Sequence, residues 1–334
     1  MTTTIAEIGQ AHHGSIDKLY AYIEAVASTG VNAIKFQTHI AAAESSIHEP
    51  FRIKMDTPDK TRYDYWKRME FSSQEWGAIG KRCRELGLTF MSSPFSNAAV
   101  DVLEQAGVEV YKVGSGEVTN FLLLEKIAQT GKPVIISSGM SSLEELDKTV
   151  AFLKERKVAF SILQCTTSYP TKPEQYGLNV INQLKDRYQV AVGYSDHSAN
   201  PATAIAAVCS GASIVEFHVI LDENETGPDA SSSLTIAQVY QLVKDIKAID
   251  TAIASPVDKS SAEAFNELKS IFEKSLAVNK TLSKGHVLSF EDLEAKKPKG
   301  YGIDAAEFRD VIGKKLNRNL AQWDFLNHKD ISND

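Results

Sequence analysis

Residues 108–167 read VEVYKVGSGEVTNFLLLEKIAQTGKPVIISSGMSSLEELDKTVAFLKERKVAFSILQCTT, and the rhythm of this stretch decides the fold. Three short runs in it, VYKVGSG from Val110, PVIISSG from Pro133 and FSILQCT from Phe160, are apolar or β-branched with little polar alternation. Runs of that kind suit parallel strands covered on both faces. Between them, LLLEKIAQTG and SLEELDKTVAFLKER carry apolar residues at helical spacing, and the first closes on Gly131. A glycine there takes the left-handed conformation that ends a helix. The stretch is strand, helix, strand, helix, strand.

The same unit extends both ways. Upstream lie TTIAEIG, SIDKLYAYIEAVASTG, AIKFQT, EWGAIGKRCRELG, LTFMSSP and AAVDVLEQAG; downstream lie VINQLKDRY, VAVGYSD, ATAIAAVCSG, SIVEFHV and IAQVYQLVKDI. Helical stretches stop at Gly30, Gly87, Gly107, Gly131 and Gly211. About eight strand–helix pairs in roughly 250 residues predict an α/β fold, a (β/α)8 TIM barrel, with a doubly wound sheet as the alternative. One connection, 39–72, is unusually long and holds Tyr63, Tyr65 and Trp66. It reads either as a lid or as a short helix packing aromatic residues over one barrel end.

The pattern changes after Ser255, so the predicted boundaries are a barrel at 1–255, a linker helix at 256–274 and a small domain at 275–334. In that last segment Asn279, Leu282, Leu288, Asp292 and Leu293 recur as Asn317, Leu320, Leu326, Asp330 and Ile331, at a constant offset of 38. Fixed-offset similarity suggests two related halves.

Composition narrows the function. The 334 residues include 36 Lys and Arg against 43 Asp and Glu, a net charge of −7, and 43% are hydrophobic. That balance excludes a disordered or collagenous chain and argues against a nucleic-acid surface. Cys83, Cys165 and Cys209 are widely spaced, as reduced thiols of a cytoplasmic protein would be. No signal peptide or membrane span is expected.

Active sites of such barrels gather at the C-terminal ends of the strands. Read there, successive strands offer Glu7; Lys35 and Gln37; Ser92, Ser93 and Phe95; Lys112, Ser115 and Glu117; Ser137 and Ser138; Thr166, Thr167 and Tyr169; Ser195 and His197; Glu216 and His218. Buried lysines and histidines are costly unless paired or ligating, so the set points to a site. His197 and His218 are candidate ligands of a divalent metal, or donors to backbone carbonyls. Lys35 and Lys112 with Ser115, Ser137 and Ser195 would form a donor-rich pocket suited to a phosphate and a carboxylate. Gly114-Ser115-Gly116 could approach an anion but lacks the third glycine of a dinucleotide fingerprint. His12, His13 and His39 follow strands, Asp229 lies in a turn, and Cys165 reads as core filling.

These motifs, AEIGQAHHG, KFQTH, SSPF, KVGSGE, SSGM, CTTSYP, GYSDH, EFH and GPD in that order, resemble the sialic acid synthase family. The tail, SLAVNKTLSKGHVLSFEDL through GYGI to VIGKKLNRNL, resembles the antifreeze-like (SAF, β-clip) domain that follows the barrel there. The resemblance implies condensation of phosphoenolpyruvate with an N-acetylated hexose, such as N-acetylmannosamine or a diacetamido sugar, to a nine-carbon 2-keto sugar acid and phosphate. It implies Mn²⁺ or Mg²⁺ held by His197 and His218, and phosphoenolpyruvate held by Lys35, Lys112, Ser115, Ser137 and Ser195. Gln37, Ser93, Phe95, Glu117, Thr167, Tyr169, Asp229 and Lys297 would face the sugar, with Glu7, Lys35, Lys112 and Asp229 in the chemistry. A domain-swapped homodimer is implied as well. This chain departs from the family at Ala11-His12-His13-Gly14, where N-H-N-G is usual, at Phe217, at Thr167 and at Lys297, where arginine is common. The competing readings are a metal-dependent pyruvate aldolase and a non-catalytic carbohydrate-binding barrel.

Overall fold

Strand β1 (Thr3–Glu7) is hydrogen-bonded on one side to β2 (Ala33–Thr38) and on the other to β8 (Ile214–Ile220), and that second pairing closes a barrel. Between them the sheet runs in sequence order through β3 (Thr89–Pro94), β4 (Val110–Val113), β5 (Val134–Ser137), β6 (Phe160–Cys165) and β7 (Val192–Asp196), every neighbour parallel. The architecture is therefore the (β/α)8 barrel. The structure is a computed structural model that describes residues 1–52 and 57–332. It divides into two compact units, Met1–Ser255 and Pro256–Asp334.

The sequence rules that predicted the elements are visible at their ends. Ser72, Ser142 and Thr235 open helices with reciprocal capping boxes to Glu75, Glu145 and Gln238. The five predicted glycine stops, Gly30, Gly87, Gly107, Gly131 and Gly211, all take positive φ. A ninth strand, β9 (Ser233–Thr235), pairs with the last residues of β8. Three residues are too few to leave a readable period, so the sequence does not announce it.

Alternation along the strands produces a floor with a functional row above it. Ile5, Ala33, Met91, Ile135 and Leu163 form an apolar cluster inside the barrel, with Val110 and Ile214 against it. Side chains two residues on share a face. The next inward positions are therefore Glu7, Lys35, Ser93, Lys112, Ser137, Cys165 and Glu216. On β7 the floor position is Gly193, where an added Cβ would lie 2.4 Å from the Ile214 carbonyl oxygen and 2.6 Å from Leu163 Cδ2. The floor leaves that strand no side chain, and Ser195 stands above it. Outward-facing residues such as Ile34, Phe36, Phe90 and Tyr111 join the large core beneath the helices.

The long connection after β2 contains two short helices, Ala41–Glu44 and Arg62–Met69. Ala41, Tyr65, Trp66 and Met69 bury one another there. The aromatic-packing reading thus describes this segment, although residues 53–56 of it lie outside the described residues.

In the second unit β10 (Ser275–Val278) and β11 (Leu293–Lys296) pair antiparallel. The 38-residue offset is written into its hydrogen bonds. Asn279 N–H donates to the Asp292 carbonyl at 2.9 Å, and Asn317 N–H to the Asp330 carbonyl at 2.8 Å. Lys280 pairs with Asp292 at 2.9 Å and Arg318 with Asp330 at 2.6 Å. Leu282 and Leu320 exchange backbone hydrogen bonds at 2.9 Å, joining the halves at their equivalent residues. Helix Asn266–Phe272 leaves Leu268, Ile271 and Phe272 exposed. Among the described residues, no helix is long and apolar enough to cross a membrane.

Candidate active site

The row above the floor is a network of buried charges. Lys35 forms an ion pair with Glu7 and stands 3.6 Å from Glu216 Oε1. Lys112 Nζ lies 3.5 Å from that same oxygen and donates to Ser137 Oγ at 2.6 Å. Ser195 Oγ also donates to Glu216 Oε1, at 3.1 Å. Gln37 Nε2 donates to Glu7 Oε1 at 3.1 Å. All are buried except Gln37, which is half-buried.

Two ammonium groups thus share two carboxylates, and the sharing is unequal. Burial pulls the Lys35 pKa down, but Glu216 and Glu7 outweigh it and hold Lys35 above its ordinary value. Burial lowers Lys112, Glu216 recovers only part of the loss, and the neighbouring Lys35 charge depresses it further. Lys112 is the less compensated cation, the one an incoming anion would stabilise most. Burial pushes Glu216 up, yet Lys112 and Lys35 hold it well below the usual carboxylate range.

His197 and His218 lie beside this network, ring centroids 5.4 Å apart, with Tyr169 4.5 Å from the His197 ring. His197 Nδ1 is buried without a hydrogen-bond partner. Burial, then the His218 and lysine charges, hold His197 far below its ordinary pKa. A neutral imidazole with an unmet nitrogen next to a second imidazole fits a divalent cation. Among the described residues no group of three or more His, Cys, Asp or Glu could hold a metal. These two nitrogens would therefore be the protein's share, with other positions open to substrate or water.

Gly9 marks where the pieces converge. A Cβ at Gly9 would lie 3.3 Å from His218 Cε1 and 3.4 Å from both Asp229 Oδ2 and Glu7 Oε1. Asp229 accepts from Arg52 Nη2 at 3.1 Å, and the Arg52 guanidinium lies 4.3 Å from the Tyr169 ring centroid.

Next to the row opens a cleft of about 330 Å³ bordered by Gln10, Gln37, His39, Glu44, Glu49, Arg62, Trp66, Phe95 and Glu117. His39 is stacked between Trp66 and Phe95, at centroid distances of 3.9 and 4.7 Å. Its Nδ1 meets Glu44 at 2.6 Å and its Nε2 meets Gln37 at 3.3 Å.

The predicted residues fall into five neighbourhoods. Glu7, Lys35, Lys112, Ser137 and Ser195 share the charged row, and Ser93 is buried opposite Gln37 in the β2–β3 register. Ser115 and Thr167 meet at Gly139, whose Cβ would lie 2.8 and 2.7 Å from their hydroxyl oxygens. Ser115 Oγ is 3.3 Å from Cys165 Sγ. Phe95 and Glu117 border the cleft, with Tyr169 and Asp229 near the histidines. Lys297 belongs to the second unit, its Nζ 4.9 Å from the Phe272 ring centroid. Ser92 is turned away, accepting from or donating to Thr38 Oγ1 at 2.7 Å.

Sequence reasoning underrated Glu216, the hub of the network, although its alternation with His218 was a usable signal. Arg62, Trp66 and Glu49 sit in the long connection, where no period points them at the site. His12 is held locally: its Nδ1 accepts from Gly14 N–H at 3.0 Å and its ring packs on Phe71.

Comparison with known proteins follows the same outline. The NeuB family matches residues 22–258. An N,N'-diacetyllegionaminic acid synthase of Campylobacter jejuni is 31% identical, covering 97% of this chain and 98% of the relative. A Homo sapiens N-acetylneuraminate-9-phosphate synthase is 31% identical, covering 98% and 92% respectively. The crystal structure of an N-acetylneuraminic acid (sialic acid) synthetase of Leptospira borgpetersenii superposes with a TM-score of 0.71 at 30% identity, over 80% of this chain and 90% of that one.

Proposed function

The chain belongs to the NeuB family, and from that premise we propose that it condenses phosphoenolpyruvate with the open-chain aldehyde of an N-acetylated hexose. The products would be a nine-carbon 2-keto sugar acid and inorganic phosphate. The observation carrying this reading is the pair of buried lysines, one poorly compensated, set beside the His197–His218 pair and a polar cleft.

Lys112 and Lys35, with Ser115, Ser137 and Ser195, hold the phosphate and carboxylate of phosphoenolpyruvate. The anion supplies the negative charge that Lys112 lacks when it shares Glu216 with Lys35. Gln37, Ser93, Phe95, Thr167, Tyr169 and Asp229 orient the sugar so that its aldehyde carbon faces C3 of phosphoenolpyruvate. The π pair of the enol double bond forms a C–C bond to the aldehyde carbon, and C2 is left electron-poor. The C=O π pair moves onto the aldehyde oxygen, which takes up the proton that the added water gives up. Water adds at C2, and the tetrahedral intermediate expels phosphate with C–O cleavage. Glu7, fixed by Lys35 and Gln37, steadies the positive C2 and orients that water. Mn²⁺ or Mg²⁺ bound by His197 and His218 would supply Lewis-acid polarisation of the aldehyde. Holding both substrates in line contributes several kcal/mol of barrier reduction, on the order seen for oriented reactants.

The second unit, its resemblance to an antifreeze-like domain and Lys297 complete the proposal as parts of a domain-swapped cytoplasmic homodimer. The exposed Leu268, Ile271 and Phe272 support association through that segment. The test is phosphate release from phosphoenolpyruvate with Mn²⁺ across a panel of N-acetyl hexosamines. Sugar-dependent release is expected; silence across the panel, with folded protein, overturns the synthase reading.

A further inference from the structure

Resting on that reading, we infer that the acceptor is an uncharged N-acylated sugar rather than a sugar phosphate, and that Arg62 selects it. The charge of the cleft is the first observation. Among the described residues that border it, Glu44, Glu49 and Glu117 stand against one guanidinium, Arg62, while the nearby Arg52 is paired with Asp229. A phosphate monoester brings a further charge of about −1.5 to −2 at neutral pH. Glu44, Glu49 and Glu117 are half-buried, so water screens that repulsion less than it would at an open surface.

The second observation is Arg62 itself. It is only 8% exposed, yet its Nε and Nη1 are buried without a hydrogen-bond partner. Glu49 Oε1 stands 3.6 Å from Nε, beyond hydrogen-bond reach, and accepts instead from the Trp66 indole N–H. Glu44 is likewise engaged, by His39 and by the Ile40 N–H. The guanidinium carbon lies 4.2 Å from the Trp66 ring centroid, so packing fixes its plane. An uncompensated fork would suit a carboxylate or phosphate, but Glu49, 3.6 Å from Nε, already offsets this charge, which leaves the unmet donors to a neutral acceptor oxygen: the carbonyl of an N-acyl group or a sugar hydroxyl. The face of Phe95 that His39 does not cover would take the acyl methyl group.

The experiment compares N-acetylmannosamine with N-acetylmannosamine 6-phosphate on the full chain, by phosphate release and, separately, by equilibrium binding in the presence of Mn²⁺. The neutral sugar should be preferred by at least about tenfold in kcat/KM and in Kd, as expected when a buried like charge is avoided. Arg62→Ala should raise the neutral sugar's KM by about 10- to 100-fold, the range for a lost charge-assisted hydrogen bond, with the phosphoenolpyruvate KM moving far less. Arg62→Lys should recover little, because the fork is lost. Equal or better use of the phosphorylated sugar overturns the inference, as does an unchanged sugar KM in folded Arg62→Ala. Should neither sugar turn over, the wider panel decides the synthase reading while binding still decides the inference: tighter binding of the neutral sugar upholds it, and tighter binding of the phosphate, or no binding, overturns it.

Discussion

Ser195 Oγ donates to Glu216 Oε1 across the β7–β8 pair at 3.1 Å, and this one oxygen also faces Lys35 at 3.6 Å and Lys112 at 3.5 Å. A single carboxylate oxygen therefore ties together the two buried cations at the barrel mouth. The register Ser195↔Glu216 fixes that relationship in the backbone, before any side chain chooses a rotamer.

Removing Lys112 takes away the cation with the least compensation. Lys112→Ala should raise the phosphoenolpyruvate KM by about 10- to 100-fold, since a charged hydrogen bond is worth about 1.5–3 kcal/mol. The sugar KM should move much less. Steady-state kinetics with each substrate varied in turn checks this, and equal changes in both would remove Lys112 from the anion site.

Glu216→Gln removes the hub and leaves two buried ammonium groups with one carboxylate. Breaking such a pair typically costs about 3–5 kcal/mol, so the melting temperature should fall measurably. Inorganic phosphate should then raise the variant's melting temperature more than it raises the wild type's. Thermal scans across a phosphate series decide it; an equal gain in both proteins would show that Glu216 does not set the charge balance.

Much of this was legible in the sequence because two short periods carry it. Alternation by two placed Lys35 with Gln37 and Glu216 with His218 on shared faces, and helical spacing with glycine stops gave the barrel. The cleft wall was legible only in part: Gln37, Phe95 and Glu117 lie at strand ends and Trp66 stood out in the long connection, but nothing pointed to Arg62 or Glu49. Arg62, Trp66 and Glu49 sit in an irregular connection whose contacts are long-range in sequence, such as Arg68 Nη1 to the His13 carbonyl at 2.8 Å. No local propensity encodes contacts of that kind. Strand β9 escaped notice for the opposite reason, being too short to show any period.

Gly193 tests the floor. Its missing side chain is required by Ile214 and Leu163, and a Cβ would also come within 2.6 Å of Ile214 Cβ. Gly193→Ala should destabilise the barrel by about 1–3 kcal/mol, the usual cost of overpacking. The floor supports Ser195 and Glu216 directly, so kcat should fall in the folded protein too. Denaturant midpoints with matched kinetics measure both; a stable, fully active variant would mean the floor yields.

The last prediction concerns pH and rests on His12. Burial chiefly, then the nearby His39 and His13, lower its pKa from 6.5 to about 3. The unfolded chain therefore takes up a proton at this residue near pH 6.5, whereas the folded chain does so only near pH 3. Between those values the unfolded state binds more protons, so stability attributable to His12 falls as pH falls, and is fully present only above about pH 6.5. At about 1.4 kcal/mol per pH unit, the loss reaches roughly 2 kcal/mol by pH 5. His12→Asn is the informative comparator, because an Asn side chain can accept from the N–H two residues on, as His12 Nδ1 does from Gly14. The variant's unfolding free energy should decline less between pH 7 and pH 5 than the wild type's. Parallel denaturant titrations at those two values give the difference, and identical declines would show that His12 is protonated within the fold.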